Sequence, residues 1–173
     1  MESIPLSTIV KREYRDYQIY TLMDRAIPYL QDGLKPSQRR ILYTLWKHQS
    51  KGLMKVSSAT GLVLTLHPHG PASVESAIVN MAQDYTFSNN YPLIDKKGYF
   101  GERMEPTPAA SRYIEARPSK LALDILYNPQ TTDWQLSYDG RKREPVTLPV
   151  KFPLLLAQGV EGIAVGLSTK ILP

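Results

Sequence analysis

The sequence contains no cysteine, so neither a disulfide framework nor a thiolate metal site can form within this chain. It also has no apolar run close to the ~18 residues that a membrane-spanning helix requires. Its first ten residues lack the basic start and the long apolar stretch of a signal peptide. These absences favour a cytoplasmic protein with no membrane partner. With 173 residues, 42% of them apolar, the chain can bury the core of one ordinary domain and part of a second.

Negative charge is missing from one long stretch. Between Gly33 and Val74 there is no carboxylate, but there are six lysines and arginines and all three histidines. The chain carries a formal net charge of +5, and a basic stretch of this kind is typical of a surface that binds a polyanion such as nucleic acid. A run of like charge can equally be an ordinary solvated face. The candidate phosphate contacts in this basic stretch are Lys35, Arg39, Arg40 and Lys47.

Hydrophobic periodicity predicts helices in the first half of the chain. Apolar residues from Ile19 to Ala26 recur at the spacing of one buried helical face. A second helix is expected to begin at Pro36 and to end by Gly52. Three basic residues of this second helix are expected mostly off its buried face: Arg39, Arg40 and Lys47.

Two further helices flank the tetrapeptide His67-Pro68-His69-Gly70. The third helix is expected to use Ser57 or Ser58 as its N-cap, and the fourth to begin at Pro71. A helix, a tight turn and a second helix favour a helix-turn-helix, in which the polar face of the second helix lies on DNA. An ordinary helical hairpin has the same spacing and stays an alternative. The polar face of the fourth helix offers Ser73, Ser76 and Asn80.

Beyond Asn90 the pattern changes to short strands and loops. A strand at 92–94 is followed by a basic, turn-rich loop at 95–102, in the place where a winged-helix fold has its wing. A short helix is then expected at 121–126. The fold class predicted from this order is α+β, with a winged-helix (CAP-like, helix-turn-helix) DNA-binding domain.

A hairpin follows in the last part of the chain. The residues at 134–138 alternate like a strand, Asp139-Gly140 is a strong hairpin-turn signal, and 146–150 is expected to be the return strand.

The chain lacks the motifs of several enzyme classes. It has neither a phosphate-binding loop with Lys-Ser/Thr nor a G-x-S-x-G segment. His67 and His69 have no carboxylate nearby in the sequence, so we expect no metal site in this chain.

The segment at 109–117 has the composition of a nucleophilic site. Arg112 stands beside Tyr113, and Arg117 follows four residues later. A phenol, with a reference pKa of about 10, is a weak nucleophile at neutral pH, but adjacent cations favour the phenolate and stabilise charge on phosphoryl oxygens. Tyr113 can therefore attack a phosphodiester. It is also one of eleven tyrosines, and half-buried packing is the alternative role.

Six segments, in order, resemble the breakage-reunion subunit of type IIA DNA topoisomerases, the family of the gyrase and topoisomerase IV A subunits. They cover nearly the whole chain from about Tyr14. The segments are D-R-A-I-P-Y-L-Q-D-G-L-K-P-S-Q-R-R at 24–40, H-P-H-G at 67–70, N-M-A-Q-D at 80–84, Y-P-L-I-D-K-K-G-Y-F-G at 91–101, A-A-S-R-Y-I-E-A-R at 109–117 and G-V-E-G-I-A-V-G at 159–166.

The resemblance implies roles for individual residues. Tyr113 matches the tyrosine that attacks DNA and becomes linked to a 5′-phosphate, with Arg112 beside it. Arg25 matches the arginine that positions and neutralises the scissile phosphate. Ile163 matches the apolar residue that wedges between base steps and bends DNA, with core packing as the alternative. The positions that the family places near the DNA and the active site are Lys35, Arg39, Arg40, His67 and His69.

The resemblance also implies a larger assembly around this chain. The chain would be an N-terminal fragment with an arm at 1–14, a winged-helix breakage-reunion domain at 15–128 and the truncated start of a tower domain at 129–173. A partner similar to the B subunits of gyrase and topoisomerase IV would bind Mg²⁺ and hydrolyse ATP, so the fragment alone is expected to be inactive. The full-length enzyme would be a homodimer, associated with the nucleoid, that performs ATP-dependent strand passage.

The sequence departs from the family pattern at the start of the fourth helix. Ala72 and Ser76 stand where sensitive bacterial relatives have the serine and the acid that hold quinolone drugs through a hydrated magnesium ion. Glu75 lies one residue away, about 100° around the helix, and is expected to point elsewhere. Other departures are Gln31, Gln38 and Tyr99, and none of these changes affects Tyr113.

Two other functions are compatible with parts of the pattern. A winged-helix regulator without chemistry would also be basic, but it does not need an arginine beside a tyrosine. An inert assembly module would show no salt-dependent DNA binding.

Overall fold

The computed structural model describes residues 4–68 and 70–173. The chain begins with a long helix, α1 (Leu6–Thr21), which continues into one π-helical turn (Leu22–Ala26). The predicted helix is present, but its predicted buried face is wrong. Ile19 and Met23 are 53% and 54% exposed, whereas Ala26 is buried. Periodicity identifies a helix with an apolar stripe, but it does not say whether the stripe is covered.

The second helix, α2 (Pro36–Lys47), lies at the centre of the fold. The helix ends before the predicted Gly52, because His48 is its C-cap. A short 3₁₀ turn (Gln49–Lys51) follows, and Gly52 closes that turn with a positive φ. The prediction that Arg39 and Arg40 lie off the buried face is wrong, because only 3% and 8% of these residues is exposed. The later part of the chain covers this side of α2.

The next pair of helices is α3 (Val56–Leu64) and α4 (Pro71–Ala82). The predicted N-cap of α3 is wrong, because Lys55 occupies that position and no side chain caps the helix. Instead, the backbone N–H groups of Val56 and Ser57 donate to the carbonyls of Ile114 and Ser111, at 3.0 and 3.2 Å. A distant loop thus satisfies the first turn, which a local capping signal cannot reveal. The start of α4 at Pro71 is as predicted.

A small antiparallel sheet packs beside these helices. Its strands are β1 (Met54–Lys55), β2 (Ile94–Lys97) and β3 (Glu115–Pro118), in the order β1-β3-β2. The sequence pattern does not predict strand β3. The predicted boundary between strand and loop is also wrong, since three residues assigned to the loop, 95–97, belong to β2. The loop between β2 and β3 therefore begins at Gly98 and carries Tyr113.

The rest of the chain forms a helix and a hairpin. Helix α5 (Lys120–Leu126) starts as predicted, with the Ser119 hydroxyl accepting a hydrogen bond from the Ala122 N–H at 3.1 Å. Strands β4 (Trp134–Leu136) and β5 (Arg143–Pro145) pair across the predicted Asp139-Gly140 turn.

The return strand of that hairpin lies earlier than the predicted 146–150. The Asp139 carboxylate accepts from the Ser137 hydroxyl and the Arg141 N–H, at 2.7 and 3.1 Å, which keeps the turn tight. A last short helix, α6 (Leu154–Gln158), leads into a second hairpin. Its strands are β6 (Val160–Ile163) and β7 (Ser168–Ile171).

The fold class is α+β, as predicted, with helices packed on a small sheet. One hydrophobic core runs through it, from Ile41 on α2 and Ile78 on α4 to Leu148 and Leu154 near the end of the chain. The core therefore crosses residue 128, where the sequence suggested a domain boundary. Among the described residues, no helix is long and apolar enough to cross a membrane.

Candidate functional site

Tyr113 lies on a loop that is held to the body of the protein on both sides. Its own N–H donates to the Ala110 carbonyl at 2.8 Å, and the neighbouring carbonyls of Ser111 and Ile114 accept from the first turn of α3. Ile114 is 1% exposed, whereas Tyr113 is 66% exposed. The phenol is therefore presented to solvent from an anchored backbone, and its alternative role as a half-buried packing residue is wrong.

Positive charge surrounds this tyrosine. The guanidinium carbon of Arg112 lies 4.9 Å from the centre of the Tyr113 ring, and the Lys55 ammonium lies 3.4 Å from the Tyr113 carbonyl oxygen. The nearby carboxylate, Glu115, pairs with Lys55 at 3.0 Å and with Lys97 at 3.6 Å. The hydrogen bond from Lys55 lowers the pKa of Glu115. This local group of charges remains net positive beside the phenol.

Helix α4 presents a polar face as predicted. Ser73, Ser76 and Asn80 are exposed, while Val74 and Ile78 on the opposite side are buried. The exposed face is therefore free of the core and available to a partner. That this partner is DNA stays a prediction.

A groove of about 410 Å³ separates α4 from the loop that leads to Tyr113. Ala72, Glu75 and Ser76 all line it, opposite residues 106–111. Glu75 thus lies beside the same groove as Ala72 and Ser76, although it is one residue away from Ser76 along α4. A rotation of about 100° per residue still leaves adjacent side chains within the reach of one broad groove.

The four predicted phosphate contacts differ sharply in exposure. Lys47 is exposed at the end of α2. The Lys35 ammonium is half-buried and donates to the backbone carbonyl of Glu161 at 2.6 Å, and burial lowers the pKa of Lys35. Arg39 and Arg40 are buried and paired with carboxylates. Of these four cations, Lys47 is the one that faces solvent most openly.

Asp32 is a buried polar centre that sequence reasoning missed. Its oxygens accept from Arg39 Nε and Nη2 at 2.5 and 2.9 Å. They also accept from the backbone N–H groups of Leu34 and Leu148, at 3.0 and 2.9 Å. A fully buried carboxylate needs this many donors to offset its desolvation. The D-G-L-K-P segment gives no sign that its aspartate is completely buried.

A second buried pair joins α2 to β5. Arg40 Nε donates to Glu144 Oε2 at 2.7 Å, and Gln135 donates to the other oxygen of the same carboxylate at 3.1 Å. The partners are 104 residues apart in sequence, which is why the pair could not be predicted. Arg39 and Arg40 thus stabilise the frame of the site.

The remaining predicted residues lie on exposed or partly exposed segments. Arg25 is exposed on the π-helical turn, a feature often found at functional sites. His67 Nε2 lies 4.0 Å from a carboxylate oxygen of Asp24, the residue before Arg25. In the part of the chain that is described, no hydrogen bond or ion pair joins Arg25 to Tyr113. His69 lies outside the described residues.

Ile163 is 82% exposed at the end of β6, beside the hairpin turn. The alternative that it is an ordinary core residue is therefore wrong. An apolar side chain this exposed is available to insert into a partner, and whether the partner is DNA stays a prediction. Within residues 4–68 and 70–173, no three His, Asp or Glu side chains come together as a metal site.

Comparison with known proteins supports the resemblance of the six segments. A family model of the DNA gyrase/topoisomerase IV A subunit matches residues 25–173. The chain belongs to this family, a family of type II topoisomerase subunits.

Individual relatives agree with the family match. The chain is 43% identical over 169 residues to the DNA topoisomerase 4 A subunit of Borreliella burgdorferi, covering 97% of this chain and 26% of the relative. It is 41% identical over 174 residues to the DNA gyrase A subunit of Mycolicibacterium smegmatis, covering 98% and 20%. It is 43% identical to the DNA gyrase A subunit of Staphylococcus aureus over 174 residues, covering 97% and 19%. The chain thus spans about a fifth to a quarter of the length of these relatives.

Proposed function

We propose that this chain is the DNA cleavage and religation part of a type II topoisomerase, built on a winged-helix, CAP-like domain. The observation that carries the proposal is the position of Tyr113. It is exposed on a loop whose backbone is fixed to α3, and a guanidinium lies 4.9 Å from its ring. A nucleophile on a fixed backbone beside a cation is suited to attack a phosphodiester.

The proposed reaction is a reversible transesterification. The Tyr113 oxygen attacks the phosphorus and loses its proton, while the bond from phosphorus to the 3′ oxygen breaks. The 5′-phosphate is then linked to Tyr113, and the released 3′ oxygen takes up a proton. Religation reverses these steps, so the number of phosphoester bonds is conserved. In this scheme Arg112 stabilises charge on the phosphoryl oxygens and Arg25 neutralises the scissile phosphate.

DNA would be held by polar and basic residues of several elements. Lys47 and the polar face of α4 (Ser73, Ser76 and Asn80) are accessible for backbone contacts. By the resemblance, Lys35, His67 and His69 also lie near the DNA. Ile163 would insert between base steps. Because Arg39 and Arg40 are buried in ion pairs, we assign them the role of holding α2 in place.

The complete enzyme needs further components. We propose that a partner similar to the B subunits of gyrase and topoisomerase IV holds the magnesium ion and hydrolyses ATP. We also propose that two copies of the cleavage subunit form a homodimer around double-stranded DNA. Among the described residues, no group of three His, Asp or Glu side chains could hold a metal ion. ATP-dependent strand passage then belongs to the whole assembly.

Covalent trapping tests the proposal. The assembled enzyme is mixed with end-labelled duplex DNA and magnesium, denatured, and examined on a gel for protein linked to the 5′ end. We expect Tyr113→Phe to abolish the covalent complex, because the phenolic oxygen is the nucleophile. DNA affinity should stay nearly unchanged, because the cations remain.

Tyr20→Phe is the matched control, since Tyr20 is also an exposed tyrosine, at 48%. It should cleave like the wild type. A covalent complex at wild-type level in Tyr113→Phe would remove Tyr113 from the mechanism. DNA binding with no covalent complex in the wild type would instead favour a regulator without chemistry, and no salt-dependent binding would favour an assembly module.

A further inference from the structure

The β6–β7 hairpin, which carries Ile163, touches the π-helical turn, which carries Arg25, through backbone atoms. Gly162 is buried, and a Cβ built on it would overlap the carbonyl oxygen of Ala26. The φ of Gly162 lies outside the left-handed region, so glycine is not required here by backbone conformation. It is required by the close approach of the two backbones.

Two hydrogen bonds fasten the same hairpin on either side of this contact. Gln18 Nε2, near the end of α1, donates to the Val165 carbonyl at 3.1 Å. Lys35 Nζ, at the start of α2, donates to the Glu161 carbonyl at 2.6 Å. Both donors belong to elements that flank the π-helical turn, and both acceptors are backbone atoms of the hairpin. The hairpin is therefore held at three points, one on the π-helical turn and two on the elements that flank it.

We propose that Gly162 is a positioning residue that fixes the distance between Ile163 and Arg25. Each of these two residues is the chain neighbour of one member of the Gly162–Ala26 contact. This inference rests on the proposed function, in which Ile163 bends DNA and Arg25 neutralises the scissile phosphate. Through this contact, the side chain that bends the DNA and the cation that neutralises the phosphate are held in a fixed relative position.

The reason for such an arrangement is geometric. Inserting Ile163 fixes the DNA register on the hairpin, and the hairpin is then fixed relative to Arg25. Insertion of Ile163 therefore also places the phosphate to be cleaved beside Arg25. A misplacement of about 1 Å far from the reacting atoms can cost about 100-fold in rate.

Gly162→Ala tests the inference in the assembled enzyme. The added methyl group forces the hairpin away from Ala26 but leaves Ile163 exposed at its tip. We expect DNA affinity within about threefold of wild type and an unchanged DNA bend, measured by energy transfer between dyes at the duplex ends. We expect the rate of covalent complex formation at saturating DNA to fall by about 10- to 100-fold. A structural defect alone would not separate bending from cleavage in this way.

Two further variants make the test decisive. Gly61→Ala is the matched control, because a Cβ at Gly61 meets nothing within 4 Å, and its cleavage rate should equal that of the wild type. Gln18→Ala removes the hydrogen bond to Val165 without adding a clash. It should also slow covalent complex formation while leaving the DNA bend unchanged, but by a smaller factor than Gly162→Ala. It decides the matter if the Gly162 variant does not fold.

Each remaining outcome has one meaning. Wild-type cleavage rates in both Gly162→Ala and Gln18→Ala overturn the inference and leave the proposed function intact. Loss of bending together with cleavage also overturns it. Gly162 would then maintain the structure of the hairpin and would not position Ile163 relative to Arg25. A wild-type enzyme that forms no covalent complex overturns the proposed function and this inference with it.

Discussion

The carboxylate of Asp32 and the guanidinium of Arg39 form a two-point ion pair that is almost completely buried, with side-chain exposures of 0% and 4%. Arg39 also donates to the Leu34 carbonyl at 3.0 Å, and Asp32 accepts from the Leu148 N–H. One pair thus joins three parts of the chain: the turn before α2, α2 itself and the segment after β5. The pair holds Leu34 through both its N–H and its carbonyl, and Leu34 directly precedes Lys35.

Breaking this pair should destabilise the fold strongly. Asp32→Ala leaves the Arg39 charge buried and also removes the acceptor of two backbone N–H groups. We expect the free energy of unfolding to fall by about 3–5 kcal/mol, the usual cost of leaving one partner of a buried pair alone. Denaturant unfolding followed by circular dichroism measures it.

An exposed pair provides the comparison. Asp84 pairs with Lys96 at 2.6 Å, but the Asp84 side chain is 59% exposed. Asp84→Ala should therefore cost less than about 1 kcal/mol. Equal effects of the two substitutions would mean that burial does not decide the strength of the Asp32 pair.

The charge pattern predicted a basic surface but not which cations belong to it. Arg39 and Arg40 lie in the stretch without carboxylates, yet their partners, Asp32 and Glu144, lie outside it. A count of charges along the sequence contains no information about pairs that form across 104 residues. The exposed polar face of α4 was predicted correctly, because there the helical period alone separates buried from exposed residues.

Salt dependence should separate the exposed cation from the buried ones. If Lys47 contacts a phosphate, Lys47→Gln should lower the slope of log affinity against log salt by about one unit, equally for all sequences. Arg40→Gln should leave the slope unchanged in whatever fraction remains folded, because Arg40 is occupied by Glu144. Titration of duplex DNA at several salt concentrations measures both slopes. An unchanged slope in Lys47→Gln would mean that Lys47 is an ordinary solvated cation that contacts no phosphate.

The pH dependence of stability should show the effect of Tyr127. This tyrosine stacks on Trp46 with ring centres 4.9 Å apart, and its hydroxyl donates to the Leu42 carbonyl at 2.9 Å. Burial raises the pKa of Tyr127 above its ordinary value. Above the unfolded pKa of about 10, the unfolded chain loses this proton while the folded chain keeps it. Stability should therefore be fully present below about pH 10 and fall as the pH rises further.

Tyr127→Phe isolates that contribution. The variant keeps the stacked ring but loses the hydroxyl, so at neutral pH it should be less stable by about 1 kcal/mol, the value of one hydrogen bond. The difference from wild type should shrink between about pH 10 and 12, because the variant has no phenol to titrate. Urea unfolding at several pH values measures it, and a constant difference over this range would contradict the burial argument.

The sequence could predict which segments contribute to the candidate site, but not how these segments are arranged in space. The sequence indicated Tyr113, Arg112, Arg25 and Ile163 through the six family segments, and it could not show how these residues are supported. The close approach of Gly162 to Ala26 is one example, since a glycine in a G-I-A-V-G run has many possible roles. Such contacts depend on the packing of distant backbones, which has no local sequence signal.

Drug sensitivity should depend on the groove beside α4. By the resemblance, quinolones are held through a magnesium ion whose waters bond to a serine and an acid, and Ala72 and Ser76 occupy those positions. Ala72 has no acceptor and Ser76 has no charge to hold a hydrated cation. We therefore expect a quinolone to stabilise the cleaved complex weakly. Ala72→Ser combined with Ser76→Asp should strengthen it.

Glu75 is included in this test because it lines the same groove as the two substituted positions and could supply a negative charge there. If Glu75 already supplied the missing charge, the native enzyme would be sensitive, and Glu75→Gln would abolish that sensitivity. We expect instead that Glu75→Gln leaves the weak response unchanged, since its carboxylate is displaced by one residue from the position that the bridge needs. Titrations of the cleaved complex with drug compare the native, doubly substituted and Glu75→Gln enzymes. High native sensitivity that survives Glu75→Gln, or no gain in the double variant, would mean that this surface does not hold the bridge.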